Sequence, residues 1–395
     1  MGMNRKHSWN FRSLGTRTPV FGFLFLFVLC LPLLKSIVFP MAKYSLRDQS
    51  GQTAAPTLGS SRPLGFLSVW NAYANERFAG RDILVHWNNL LQVKLFKVSP
   101  LETLMLGRDG WLFLDGSNLE MDYFRASTPF SEDELARWRR VLLQRHIWLE
   151  RQGIRFLYVI APNKSTIYPE KVPARIHRAA TRLDQLLEYL QRRPLPAGFL
   201  MVDLRKTLRA AKSRYPVYGK IDSHWNGFGA MIASTKILGA LSRFYPFHPP
   251  ALDDFAVSLE PGAGPRGDLA AMLSLSDVLY EPHSVKVVPR APLRAIVVEP
   301  AHWLDQELEQ EVTICPGAEL PETLMFRDSF GYALAKYLSE HFQKITYIRD
   351  IQLRFLSQIV LQIRPKIVIQ EMGERFFQVV PPANPPELAA IESDR

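Results

Sequence analysis

From Ser131 to Gln370 the chain alternates between short apolar runs of strand length and amphipathic stretches of helix length. This alternation constrains the fold more than any other feature, because strands buried on both faces need helices packed on each side of their sheet. The clearest run is IRFLYVI (154–160), broken only by Arg155. Further strands are expected at 199–203, 295–298, 323–326, 345–348 and 366–370, and helices at 132–152, 181–192, 227–242, 330–342 and 352–362. Ser131, with Glu134 three residues on, predicts a capping box, and Asn226 predicts an N-cap for the helix that follows it. Upstream, LGRDGWLFL (106–114) predicts a hairpin turning at Asp109-Gly110. The whole predicts an α/β fold built on a doubly wound parallel sheet, with ligands bound beyond the carboxyl ends of its strands.

The stretch VFGFLFLFVLCLPLL (20–34) carries no charged residue. Counted on to Met41, with Lys35 snorkelling, it has about the twenty residues a bilayer needs. The segment after it, SIVFPMAKY, lacks a small-x-small cleavage site, which favours an uncleaved anchor over a removed signal peptide. Arg5, Lys6, Arg12 and Arg17 precede the run, while Lys35, Lys43 and Arg47 follow it, so the N-terminus is expected inside. The expected organisation is a basic cytoplasmic tail (1–18), a transmembrane anchor (19–41), a Ser/Gly/Pro-rich linker (42–62), one large domain (63–382) and a tail (383–395). That describes a single-pass protein of the inner membrane whose bulk faces the periplasm or the cell exterior. Phe66, Val69, Trp70 and Tyr73, and then Ile83, Val85, Trp87, Leu90 and Leu91, recur at helical spacing near the start of the domain. The net charge of +10 suits an anionic polymer or a membrane surface. No zinc knuckle, RNP motif or basic zipper points to nucleic acid. Cys30 and Cys315 are too few for a disulfide framework or a cysteine-rich zinc site.

Three segments follow strands and carry reactive side chains. In TLMFRDSFGYALAKYL (323–338) a strand runs into Arg327, Asp328 and Ser329 just before a helix. A serine there exposes its hydroxyl at the sheet edge, near helix N–H groups that an oxyanion could use. The plainer alternative is that Asp328 or Ser329 caps the helix. In DSHWN (222–226) Asp222 and His224 are two apart, and an extended backbone would point both to one side. Asp222 could then orient an imidazole that serves a serine, although His224 could equally bond a backbone carbonyl. A third ligand at zinc-like spacing is lacking, so no metal is expected. In APNKSTIYPEKVP (161–173) Asn163, Lys164 and Tyr168 could contact a polyhydroxy or acidic substrate, with Arg327 beside them, or could simply hold the loop.

Five motifs in order, GRDGWLFL (107–114), APNKSTIYPEKVP, DSHWN, FRDSF (326–330) and EMGERF (371–376), resemble the alginate O-acetyltransferase family, the AlgJ/AlgX group. The resemblance implies an SGNH-hydrolase-like, flavodoxin-like fold in which His and Asp precede the serine, a permuted motif order. It implies Ser329 as nucleophile, His224 as general base and Asp222 as the orienting acid, with no cofactor. It also implies a polysaccharide acceptor, and a membrane-bound O-acyltransferase partner that supplies acetyl groups. The residues leave open a carbohydrate acetylesterase using the same triad, and a non-catalytic polysaccharide-binding scaffold.

Overall fold

Alternate residues of one strand feed two separate cores. In β3 (Arg155–Ala161) Leu157, Val159 and Ala161 enter one hydrophobic cluster, while Phe156, Tyr158 and Ile160 enter another. A period-two apolar run with both faces buried cannot be an edge strand, and β3 pairs on both sides, with β4 (Leu200–Asp203) and β11 (Ile367–Gly373). The computed structural model describes residues 81–116, 119–125, 128–262, 264, 267–299, 308–350 and 354–390, and Phe23. Apart from Phe23, the expected anchor lies outside the described residues, as do the linker, Cys30, the run from Phe66 to Tyr73 and 391–395 of the tail.

The central sheet has seven strands in the order β4-β3-β11-β9-β10-β8-β7, where β7 is Ile296–Val298, β8 Gln310–Ile314, β9 Thr323–Arg327 and β10 Lys344–Arg349. The pairs β4–β3, β3–β11, β11–β9 and β9–β10 are parallel. The pairs β10–β8 and β8–β7 are antiparallel, so the fully parallel sheet expected from sequence is corrected to a mostly parallel one. An antiparallel edge needs little buried surface, and β7 leaves Ile296 and Val297 exposed.

Helices α1 (Glu132–Arg151), α2 (Arg182–Arg192) and α6 (Ser357–Ile363) pack on one face, through residues such as Trp138, Leu186 and Val360. Helices α3 (Arg205–Ala211), α4 (Gly227–Leu241) and α5 (Gly331–Leu338) cover the other, through Leu208, Phe228 and Leu334. The expected caps form: Ser131 and Glu134 make a reciprocal capping box, and Asn226 accepts the Phe228 and Gly229 N–H groups at 3.0 Å. α6 begins at Ser357, later than the 352–362 expected, because Phe355 and Leu356 stay outside the helix.

Two hairpins stand outside this sheet. β1 (Leu104–Leu106) and β2 (Leu112–Leu114) join through Asp109 and Gly110, both at positive φ (55° and 78°), as a two-residue hairpin turn requires. β5 (Phe255–Pro261) and β6 (His283–Pro289) form the second, with a short helix Asp268–Met272 between them. The chain divides into two units, 1–91 and 92–395. In the first, the Arg81–Leu90 helix exposes Ile83, Leu84 and Trp87. Among the described residues no helix is long and apolar enough to cross a membrane.

Candidate active site

All five residues of β9 are buried, and at its carboxyl end the chain turns sharply through Asp328 and Ser329 into α5. The Asp328 carboxylate accepts the Phe330 N–H at 2.8 Å and the Gly373 N–H of β11 at 2.8 Å. Asp328 therefore braces the turn itself, and no side chain caps α5, whose N-cap position is Phe330. That leaves the Ser329 hydroxyl to reach outward, and it donates to His224 Nε2 at 2.8 Å.

On the far side of the imidazole, Nδ1–H donates to Asp222 Oδ1 at 3.0 Å. These two bonds assign the tautomer: the proton sits on Nδ1 and the Nε2 lone pair faces the serine. The extended backbone expected around Asp222 is corrected to a turn. Asp222 Oδ1 also accepts the His224 backbone N–H at 2.8 Å, which curls the segment and brings acid and base together. Trp225 Nε1 donates to the Phe330 carbonyl at 3.1 Å, tying the histidine segment to the serine turn. The imidazole lies edge-on to Phe330, with ring centroids 5.2 Å apart.

Burial pushes the Asp222 carboxyl up, but the His224 ring and backbone N–H bonds outweigh it and hold the acid below its ordinary value. It stays ionised as an imidazolium partner must. Beneath the serine turn, Glu371 is fully enclosed and its Oε2 accepts the Asp328 N–H at 3.1 Å. Burial, and then the neighbouring Asp328 charge, raise Glu371 well above the usual carboxylate range. Both effects favour the protonated form of Glu371.

The third segment packs against the acid–base loop. Lys164 is wholly buried, and its ammonium donates to the carbonyls of Gly219, Lys220 and Asp222 at 3.4, 3.2 and 2.6 Å. It lies over the rings of Trp111 and Phe113 (5.6 and 5.2 Å). The buried Asn163 donates its backbone N–H to Glu374 at 2.9 Å. Tyr168 packs on Trp111 and accepts the Val217 N–H at 3.0 Å. Arg327 is buried over Tyr332 (4.0 Å) and pairs with Glu311 at 3.5 Å. The β1–β2 hairpin and the 217–225 segment thus pack against 161–173, next to the loop that carries Asp222 and His224.

Sequence reasoning missed Asp268. Its Oδ2 lies 3.5 Å from His224 Nδ1, and its Oδ1 accepts the Ser223 N–H at 2.7 Å. The short helix start at Gly267-Asp268 was a weak local signal, and nothing local linked it to a histidine earlier in the chain. With Asp268, the fold supplies the third donor that spacing lacked, since ligand atoms of Asp222, His224 and Asp268 lie within 4.8 Å of one another. Both imidazole nitrogens are nevertheless engaged in hydrogen bonds, an arrangement suited to moving a proton.

A family model described as SGNH hydrolase-like domain, acetyltransferase AlgX, matches residues 104–301, half of the chain. The chain belongs to that AlgX acetyltransferase-domain family. The AlgX match contains Asp222 and His224 and stops before Ser329. A probable alginate O-acetylase AlgJ of Pseudomonas syringae pv. tomato is 28% identical over 191 residues, 46% of this chain and 45% of that protein. A probable alginate O-acetylase AlgJ of Pseudomonas aeruginosa is 27% identical over 183 residues, 45% of this chain and 43% of that protein. The chain thus spans a little under half the length of these relatives. The structure of Bacillus cereus PatB1 with sulfonyl adduct aligns with a TM-score of 0.50 at 16% identity, covering 69% of this chain and 97% of that one. The likeness is one of fold: an SGNH-hydrolase-like α/β domain around a mostly parallel sheet, as the AlgX family implies.

Proposed function

We propose that this chain is a polysaccharide O-acetyltransferase of the cell envelope, with Ser329 as nucleophile, His224 as general base and Asp222 as its orienting acid. The observation that carries the reading is the unbroken relay from Asp222 through His224 to Ser329, at 3.0 and 2.8 Å. Ser329 Oγ attacks the carbonyl carbon of an acetyl ester as Nε2 takes its proton, and the tetrahedral oxyanion collapses as Nε2 returns the proton to the departing alkoxide. The backbone N–H of Ser329 is one oxyanion donor. A sugar hydroxyl, deprotonated by Nε2, then attacks the acetyl-serine and regenerates Ser329 Oγ–H. Transfer prevails over hydrolysis only where the acceptor outcompetes water.

The relatives named alginate O-acetylase support an alginate-like exopolysaccharide as acceptor. The uncharged run at 20–34 and the basic residues before it support an inner-membrane anchor at 19–41. A linker at 42–62 and a catalytic domain at 63–382 would then lie outside the cytoplasm. A membrane-bound O-acyltransferase is the proposed acetyl supplier.

The test incubates the purified protein with an activated acetyl ester and acceptor oligosaccharides. Mass spectrometry should find acetyl on Ser329 and then on sugar. Acetate released with none transferred would replace the transferase with an esterase. Unchanged turnover in Ser329→Ala would leave a binding scaffold.

A further inference from the structure

We propose that Asp268 is a second acid of the relay, a positioning residue that shares the Nδ1 proton of His224 with Asp222. The proposal rests on reading His224 as the base. Nδ1–H faces a fork. One prong is Asp222 Oδ1 at 3.0 Å; the other is Ser223 Oγ at 3.2 Å and Asp268 Oδ2 at 3.5 Å. Ser223 donates its hydroxyl hydrogen to Asp268 Oδ2, so its oxygen is free to accept from the imidazole. The two acids are also joined directly, because the Asp268 N–H points to Asp222 Oδ2 at 3.4 Å.

A dedicated clamp delivers Asp268. Leu269 and Ala270 donate their N–H groups to the Ile221 carbonyl at 3.2 and 3.3 Å. Gly267 makes the approach possible: its φ is +132°, and a Cβ there would sit 2.5 Å from the Ile221 oxygen. A surface aspartate with no task beyond solvation needs no such backbone.

When Nε2 takes the serine proton the ring becomes a cation, and two carboxylates then face it. Both are partly solvated (38% and 39% side-chain exposure), so each acts through a screened field. Charges near this loop include the Lys164 ammonium, on the Asp222 carbonyl at 2.6 Å, and Glu281, which accepts the Ile221 N–H at 2.9 Å, while the Arg375 guanidinium lies over the Phe330 ring at 5.5 Å. Ser329 and the Phe330 edge complete the surroundings of the ring. Losing Asp222 alone leaves an acceptor for Nδ1–H, so the productive tautomer survives.

Asp222→Asn should therefore lose about 10- to 100-fold in transfer rate, where removal of a lone orienting acid costs about 10⁴-fold. Adding Asp268→Asn should complete the loss to about 10⁴-fold. Asp268→Asn alone keeps the acceptor for the Ser223 N–H, yet should move the rising limb of the pH–rate profile about half to one pH unit towards acid. A merely structural aspartate would lower the rate and leave the limb in place. Ser223→Ala keeps both charges and should leave the limb unmoved. The far-downfield Nδ1–H proton resonance should persist in Asp222→Asn and vanish in the double variant. Its loss in Asp222→Asn overturns the proposal even if Asp268→Asn fails to fold, as does a double variant no slower than Asp222→Asn. Wild-type transfer by His224→Ala would overturn the catalytic reading itself, while the resonance still reports on the fork.

Discussion

Replacing Lys164 with methionine removes a buried cation whose cost depends on pH. Burial pulls this ammonium down from the ordinary 10.5 to about 8, and Glu120, Asp268, Asp222 and Glu281 offset only part of that. Between those values the unfolded chain still holds a proton that the native protein has released. The native state therefore gains stability as pH rises from about 8 to 10.5, and loses that gain as pH falls back through about 8. At about 1.4 kcal/mol per pH unit, the gap amounts to about 3 kcal/mol. Lys164→Met cannot show this rise. Denaturant unfolding of both proteins at pH 7 and at pH 10.5 isolates it, because other titrating groups cancel in the difference. Wild type should gain about 3 kcal/mol on the variant across that range. A difference that stays constant with pH would show that the Lys164 proton is not lost in the native state. The variant should also transfer acetyl about tenfold more slowly, because the Asp222 carbonyl loses a 2.6 Å tether.

His224→Ala should abolish acetyl transfer and the rising limb of the pH–rate profile while leaving the unfolding midpoint near that of wild type, both measurable on one preparation. Glu371→Gln should fold normally, since burial and the Asp328 charge both favour the uncharged form that glutamine mimics. Because burial and Asp328 raise this acid, its contribution is whole below the unfolded value of 4.5 and is lost as pH rises through the native one; relative stability should shift towards the glutamine variant from pH 4.5 upwards in denaturant titrations. Gly267→Ala should cost about 2–4 kcal/mol in unfolding free energy, since alanine at φ +132° is strained and its Cβ meets the Ile221 oxygen. A fully stable Gly267→Ala would mean the clamp gives way freely.

The legible parts of this fold are those decided within a few residues. Ser131 and Glu134 cap α1 by contacts three residues apart, Asp109-Gly110 turns its hairpin through its own φ angles, and β3 declares itself by an apolar run. Asp222 and His224 could be paired on paper because one turn joins them. What was hidden depends on return of the chain. β8 reads weakly because an antiparallel strand near an edge buries few side chains, and Asp268 reaches His224 only through an insertion between β5 and β6. The burial of Lys164 was hidden for a different reason. A lysine after a strand reads as a ligand contact, since complete burial of an ammonium is rare; here two aromatic rings and three carbonyls enclose it.

The strand order also bears on how the protein is made. β11 comes last among the strands in sequence yet lies in the sheet between β3 and β9. A nascent chain that has produced β3, β4, β9 and β10 still lacks the strand that joins them, and β3 and β9 keep open, hydrogen-bonding edges until Ile367–Gly373 arrives. The Gly373 N–H that steadies Asp328 arrives with the same strand. Synthesis therefore completes the serine turn only at the end, after the acid–base loop has already emerged. A chain stalled short of β11 carries Asp222, His224 and Ser329 but lacks the Gly373 N–H that holds Asp328, and its open strand edges invite aberrant pairing.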